Sequence, residues 1–256
     1  MQLSPAEILV LDAPNVRRRA ELLKANLRHL VATGHLEPGR RSTSSAKTGT
    51  ADPAYRIAKP LPRGTPADLA VVLALAGHSG QHTLASLMRA ARSKWGGNLD
   101  RFRTDIVLPA LVAKGLVYPR TRRILLIFPR TRYVRTDAGE TLDRRIATLM
   151  RQARELPALM SSDPARAAAI ATAAGTLVLM LPELQASLGD IAHVRRLNAS
   201  SPGVGSDGWS SSSFAADQEA LGAIDDFDGA FDAAEPSSSD SDGGDGGGGD
   251  GGGGGD

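Results

Sequence analysis

The chain has 256 residues and no cysteine, which excludes disulfides, thiolate metal sites and a cysteine nucleophile. Its 30 basic and 28 acidic residues nearly cancel, but they are segregated: every Lys and Arg lies at or before Arg196, and thirteen of the acids lie after residue 200. Residues 1–200 therefore carry a net +15 and the remainder −13, a polarity that directs the body toward nucleic acid, a phosphate-bearing ligand or an acidic membrane surface.

Ser4-Pro5-Ala6-Glu7 predicts a short helix, with Ser as N-cap, Pro at the first helical position and Glu closing a capping box. Asn15 is the predicted cap of a second helix running to Thr33. Leu22, Leu23, Leu27, Leu30 and Val31 follow helical spacing there, and Gly34 stands where a left-handed residue ends the helix. A strand begins at His35–Glu37; residues 38–53, almost free of apolar side chains, read as a mobile loop; Tyr55–Ala58 reads as a strand. Helices are predicted from Thr65 or Asp68 to Leu75, from Thr83 to Lys94, and from a cap at Asn98 to Lys114, with Gly115 as its stop and Pro109 kinking or dividing it.

Leu116–Tyr118 and Ile124–Phe128 read as the strands of a hairpin with a basic tip, Pro119–Arg123, ended by Pro129. Helices at Ala138–Leu156, Pro164–Leu181 and Pro182–Leu197 complete the body, with Asp163 capping the second. Two segments echo one another: Leu27–Leu36 and Leu108–Val117 each run from helix through Gly into a strand. The predicted fold is mainly α, a helical bundle with one or two small β-hairpins in winged-helix-like units, spanning residues 1–197. Residues 198–256, rich in Gly, Ser and Asp, predict a disordered acidic tail. Within it Leu221–Phe231 sets Ile224, Phe227 and Phe231 among acids; the favoured reading is sticky residues of the tail, the alternative a short motif that folds on a partner and would serve a scaffold as its docking peptide.

No membrane span is predicted, because the most apolar stretch, Ala167–Leu181, falls short of the ~20 residues a crossing needs. Met1–Val10 also lacks the basic and long apolar regions of a secretory leader, so the expected location is cytoplasmic, or peripheral on a membrane.

The order of these elements resembles the Golgi phosphoprotein 3-like family of peripheral membrane proteins. The resemblance spans about residues 3–195. It is carried by Leu3-Ser-Pro-Ala-Glu-Ile-Leu-Val-Leu, the Leu27–Leu36 helix ending in Gly, Leu108–Val117 before the hairpin, Phe128-Pro-Arg-Thr-Arg-Tyr133 and the paired C-terminal helices. It implies a helical bundle with small hairpins, binding of phosphoinositide head groups, and self-association through the hairpin at 116–128. The family's pocket combines a Trp, an Arg on the early helix and two Arg one turn apart before the hairpin. Arg101 and Arg103 fall in the matching region at a spacing that differs by one residue, Lys24 stands near the early Arg, and no Trp precedes Trp95.

The residues themselves point to phosphate chemistry. Arg120, Arg122, Arg123, Arg130, Arg132 and Arg135 fall within sixteen residues, and clustered guanidinium groups bind phosphates through paired, charge-assisted hydrogen bonds. Arg130 and Arg132, two apart in a strand, share a face. The candidate anionic-ligand residues are thus Lys24, Arg101, Arg103, Arg120, Arg122, Arg123, Arg130 and Arg132. His78 and His82 at i, i+4 lack the Glu of a zinc helix, and no phosphate loop or nucleophile elbow is found, so neither metal, cofactor nor enzymatic activity is expected. The expected function is peripheral binding of anionic lipid head groups. The alternatives are a winged-helix-like nucleic-acid-binding protein, with Leu99–Lys114 as its reading helix, and a scaffold.

Overall fold

The computed structural model describes residues 3–16, 19–38, 54–57, 66–76, 82–97, 99–124, 128–191, 193, 227 and 231. The predicted loop beyond residue 38, Arg17, Arg18, the Asn98 cap, His78 and nearly all of the acidic tail lie outside these. The first helix, α1 (Pro5–Asp12), forms as its capping box requires. Glu7 N–H donates to Ser4 Oγ at 3.3 Å, and Ser4 N–H donates back to Glu7 Oε2 at 2.7 Å. This end is buried, so its remaining donors also need partners. Ala6 N–H finds one in Asn26 Oδ1 at 3.0 Å, on α2 (Arg19–Ala32), and Lys114 Nζ lies 2.6 Å from Glu7 Oε1.

The start of α2, with Arg17 and Arg18, lies outside the described residues; the side chain of the predicted cap Asn15 accepts from Tyr133 N–H and donates to Tyr133 O, at 3.1 and 2.9 Å, a long-range pair of backbone bonds. Helix α2 ends in a Schellman motif: Gly34, at φ +72°, donates to Val31 O while His35 N–H reaches Leu30 O. Gly115, at φ +68°, repeats the motif with Val112 O and Leu111 O, which is the physical content of the sequence echo. Each Gly hands the chain to a strand. The first is β1 (Leu36–Pro38), which pairs antiparallel with β2 (Ala54–Ile57), itself paired with β3 (His82–Thr83).

α3 (Pro66–Ala76) packs against α2 and against α4 (Leu84–Trp95), which follows β3 directly, is capped by Thr83 and buries Leu84, Leu87, Met88, Ala91 and Trp95 on one face. The predicted Leu99–Lys114 helix is divided. A single turn, α5 (Asp100–Phe102), leads into a π-helical stretch at Arg103–Val107 and then α6 (Leu108–Ala113). Pro109 has no N–H for the carbonyl four residues back, and its ring would collide with it; the widened turn, in which Leu108 N–H reaches Arg103 O, relieves both. Phe102, Val107, Leu108 and Leu111 are buried, so this segment is core.

After the β4–β5 ribbon described below come α7 (Asp137–Arg154), α8 (Leu156–Ser162) and α9 (Pro164–Ala174), capped by Thr136 in the first case and Asp163 in the last. Past Ala174 the predicted helices begin as two 3-10 stretches, Gly175–Met180 and Pro182–Ser187, and α-helix resumes at residues 188–191 and 193, inside the predicted Pro182–Leu197 segment. One aliphatic core joins α1, α2, α3, α4, α6, α7 and α9, and no helix among the described residues is long and apolar enough to cross a membrane.

Packed chain does not end at residue 197. Phe227 and Phe231 are helical and 1% exposed, with Phe227 edge-on to Tyr55 at 6.0 Å. These two rings pack with the core of the body; the residues between and beside them lie outside the described residues.

Two consequences of the packing are measurable. Gly139, on α7, sits against the chain entering the ribbon: a Cβ there would lie 2.1 Å from Leu116 O. Gly139→Ala is therefore expected to destabilise the protein by about 1–3 kcal/mol in chemical denaturation. Burial, with the His35 imidazole beside it, holds His29 at about 4, even though an Asp68 carboxylate oxygen lies 3.8 Å from its Nε2. The unfolded chain then binds this proton more tightly than the folded one. The resulting stability is intact above the ordinary histidine value of 6.5 and falls as pH drops toward 4, by about 3 kcal/mol at most. Urea midpoints should fall as pH drops across that range, and His29→Gln should flatten the dependence.

Candidate functional site

The predicted hairpin is present, with its basic and apolar parts exchanged. Strands β4 (Val117–Ile124) and β5 (Phe128–Arg135) pair antiparallel from Val117↔Arg135 to Ile124↔Phe128. The arginines expected at the tip are in the strands, and the connection is apolar in sequence: Leu125, Leu126 and Ile127, outside the described residues. Pro119 and Pro129 do not end strands because a two-stranded ribbon leaves every second N–H facing outward. The two prolines pair with Tyr133 and Arg123, in the same register class.

Register determines the chemistry. Arg120 pairs with Arg132 and Arg122 with Arg130, and alternation puts all four on one face, together with Tyr118 and Val134. All four arginines are exposed, and Tyr118 is 44% exposed. Directly opposed residues lie ~5 Å apart and next-nearest ones ~7 Å. Two unit charges ~6 Å apart repel by about 0.7 kcal/mol even in water, so the face costs stability until an anion neutralises it. A phosphate oxygen cluster suits its dimensions, since adjacent guanidinium forks can share one phosphate.

The opposite face holds the ribbon to the body. Val117 is buried and Tyr133 half-buried, with Asn15 bonding the Tyr133 backbone as above. Arg135 donates to Leu11 O at 2.6 Å and to Asp12 O, and pairs with Asp143 at 3.1 Å. Thr136 Oγ1 donates to Gly115 O at 2.7 Å. Arg135 is thus an anchor and not a ligand, and the Thr121–Thr131 pair (3.3 Å) occupies the middle of this second face.

Beside the anchor a cleft of about 280 Å³ is lined by Ile8, Leu9, Ile146 and Met150, with Asp12 and Asp143 among its walls. Burial raises Asp143, Arg135 opposes that, and the charges of Asp12 and Glu140 reinforce it. Carboxylates repel a phosphate, so this cleft does not extend the anionic site.

The eight sequence candidates separate by what they touch. Arg120, Arg122, Arg130 and Arg132 form the face. Arg123 pairs with Pro129 in the register, its side chain lying outside the described residues. Arg101 is exposed on α5, whereas Arg103 is half-buried and donates to Pro14 O, holding the segment after α1. Lys24 lies on α2 with its Nζ 5.4 Å from the centroid of the Phe231 ring. Tyr118 was not among the candidates; the period-two pattern Tyr118-x-Arg120-x-Arg122 was its signal. No cluster of three or more His, Cys, Asp or Glu fit to hold a metal occurs among the described residues. No protein-family model matches the chain, and no curated protein matches it significantly.

Proposed function

We propose that this chain is a peripheral binding protein for anionic membrane surfaces, engaging phosphate-bearing lipid head groups through Arg120, Arg122, Arg130 and Arg132. The observation that carries the reading is the four-arginine face, exposed and without an ion pair to a described residue, on a ribbon whose connection Leu125-Leu126-Ile127 is apolar. Guanidinium groups on strands whose connecting residues are apolar in sequence match the boundary between head groups and acyl chains, where cations meet phosphate and hydrocarbon meets hydrocarbon. The +15 of residues 1–200 adds a long-range attraction to such a surface. The resemblance in element order to the Golgi phosphoprotein 3-like family supports the same role, with a phosphoinositide-like head group as the finer proposal.

A nucleic-acid reader fits less well. The segment that would enter the major groove, residues 99–114, buries Phe102, Val107, Leu108 and Leu111, and only Arg101, Thr104, Asp105 and a few others face outward. The test is co-sedimentation of the full chain with vesicles, anionic or neutral, at two salt concentrations. Saturable, salt-sensitive binding to the anionic vesicles alone is expected; equal partition into both, or none, would defeat the reading.

A further inference from the structure

The register of the β4–β5 ribbon fixes the spacing of its four exposed arginines. Asn15 takes both backbone groups of Tyr133, accepting from its N–H at 3.1 Å and donating to its O at 2.9 Å. Tyr133 therefore turns these groups away from its cross-strand partner Pro119, which has no N–H to offer in return. Pro119↔Tyr133 is thus a non-hydrogen-bonded pair, and the two kinds of pair alternate along an antiparallel ladder. Pro129↔Arg123 and Thr121↔Thr131 fall in the same class, and the two threonine Oγ1 atoms, 3.3 Å apart, show the closer approach expected there. Arg120↔Arg132 and Arg122↔Arg130 are then both hydrogen-bonded pairs, with opposed Cα atoms ~5.5 Å apart. The two pairs are separated by two residues along the strands, or ~7 Å. The four exposed side chains spring from the corners of a rectangle longer along the ribbon than across it.

We propose that each cross-strand arginine pair is a seat for one phosphate, so that the face takes two phosphates ~7 Å apart and prefers a lipid whose two phosphodiesters are joined by a three-carbon bridge. This rests on the anionic-surface reading and adds to it the number and spacing of the phosphates. Two guanidinium forks across the shorter edge can share one phosphate through paired, charge-assisted hydrogen bonds. A single phosphate shared by all four would bring every two of the cations into contact against one or two negative charges. Two phosphates instead give each pair its own counterion, with the pairs kept apart. A pyrophosphate is too short for this, because its phosphorus atoms share one oxygen and cannot fill seats ~7 Å apart. Two phosphodiesters on the end carbons of a glycerol reach that far with the bridge extended. Once the first phosphate is seated, the bridge holds the second beside the other pair at millimolar-range effective concentration or above. A lipid with one phosphate fills the second seat only when another molecule arrives.

The experiment uses the full chain and phosphatidylcholine vesicles doped with diphosphatidylglycerol, or with twice the mole fraction of phosphatidylglycerol so that phosphate and charge match. Both should bind the chain in a salt-sensitive way, the two-phosphate lipid about tenfold more tightly or better, the gain from tethering the second phosphate. Two variants then lose the same charge in different ways. Arg120→Gln/Arg132→Gln removes one cross-strand pair and should reduce that ratio to about twofold or less, because one seat remains. Arg120→Gln/Arg122→Gln removes both arginines of one strand and leaves Arg130 and Arg132 ~7 Å apart. It should bind both vesicles more weakly and keep most of the ratio. All four side chains are exposed, so both variants should melt as the unaltered chain does. A ratio near one for the unaltered chain, with anionic binding intact, would overturn the two seats and leave the anionic-surface reading standing. A ratio that survives the loss of a cross-strand pair, or falls equally in both variants, would overturn the assignment of seats to pairs. Binding to neither vesicle would defeat the anionic-surface reading and this inference with it.

Discussion

Replacing Arg120, Arg122, Arg130 and Arg132 together by glutamine is expected to weaken binding to anionic vesicles by roughly three orders of magnitude. Each cation near an anionic surface contributes about 1 kcal/mol, and four of them on one face act on the same patch of lipid. The fold should survive, because all four side chains are exposed and their removal relieves like-charge pairs across the ribbon. Thermal stability should stay level or rise slightly. The comparison that isolates placement from charge is a variant losing the same four charges at Arg89, Arg145, Arg151 and Arg166, all exposed on helices. If the ribbon is the contact surface, that variant loses far less. Similar losses in both would mean that net charge alone attracts the membrane.

Lys114→Met is expected to be the most damaging single change for stability, at about 3–5 kcal/mol. Glu7 has a fully buried side chain, and Lys114 Nζ at 2.6 Å is what compensates its charge; the lysine is itself only 18% exposed. Without it the carboxylate keeps Ser4 N–H at 2.7 Å but loses its counterion inside the core. A buried charge left alone costs more than the pair contributed. The double variant Glu7→Gln/Lys114→Met should therefore be more stable than Lys114→Met alone, since Gln keeps an oxygen for Ser4 N–H and leaves no charge behind. Urea denaturation of the three proteins checks this. An additive loss would place the role of Lys114 in packing and not in charge.

The features legible in the sequence were those governed by neighbours along the chain. The Ser4–Glu7 capping box and the Gly34 and Gly115 stops involve bonds between residues three to five apart, so residue type and spacing suffice to predict them. The mainly helical fold followed from the same local rules. Long-range partners decided the rest. Asn15 has the chemistry of a cap, yet Tyr133, 118 residues away, offers it two backbone bonds at once.

The ribbon was misplaced for a specific reason. Pro119 and Pro129 read as punctuation, and Ile124–Phe128 reads as a strand, whereas pairing puts the prolines at positions whose N–H is not needed. Strands that run to Ile124 and start again at Phe128 carry Arg120 and Arg122 from a predicted loop into register with Arg132 and Arg130. The candidate site was therefore half legible: the right residue types, without the face that joins them. Burial of Phe227 and Phe231 had only their four-residue spacing as a signal, and in a polar segment that spacing says little until Tyr55 is known to meet it.

The most direct measurement of the central claim uses the absence of cysteine. A single cysteine at Tyr118 (Tyr118→Cys), carrying an environment-sensitive fluorophore, reports from the arginine face; one at Thr121 (Thr121→Cys) reports from the other face of the same ribbon. Anionic vesicles should shift the emission of the first label to the blue and leave the second nearly unchanged, with neutral vesicles and duplex DNA at matched salt affecting neither. A chain that sediments with anionic vesicles while the label at position 118 stays in water, or a label that responds to DNA instead, would contradict the account.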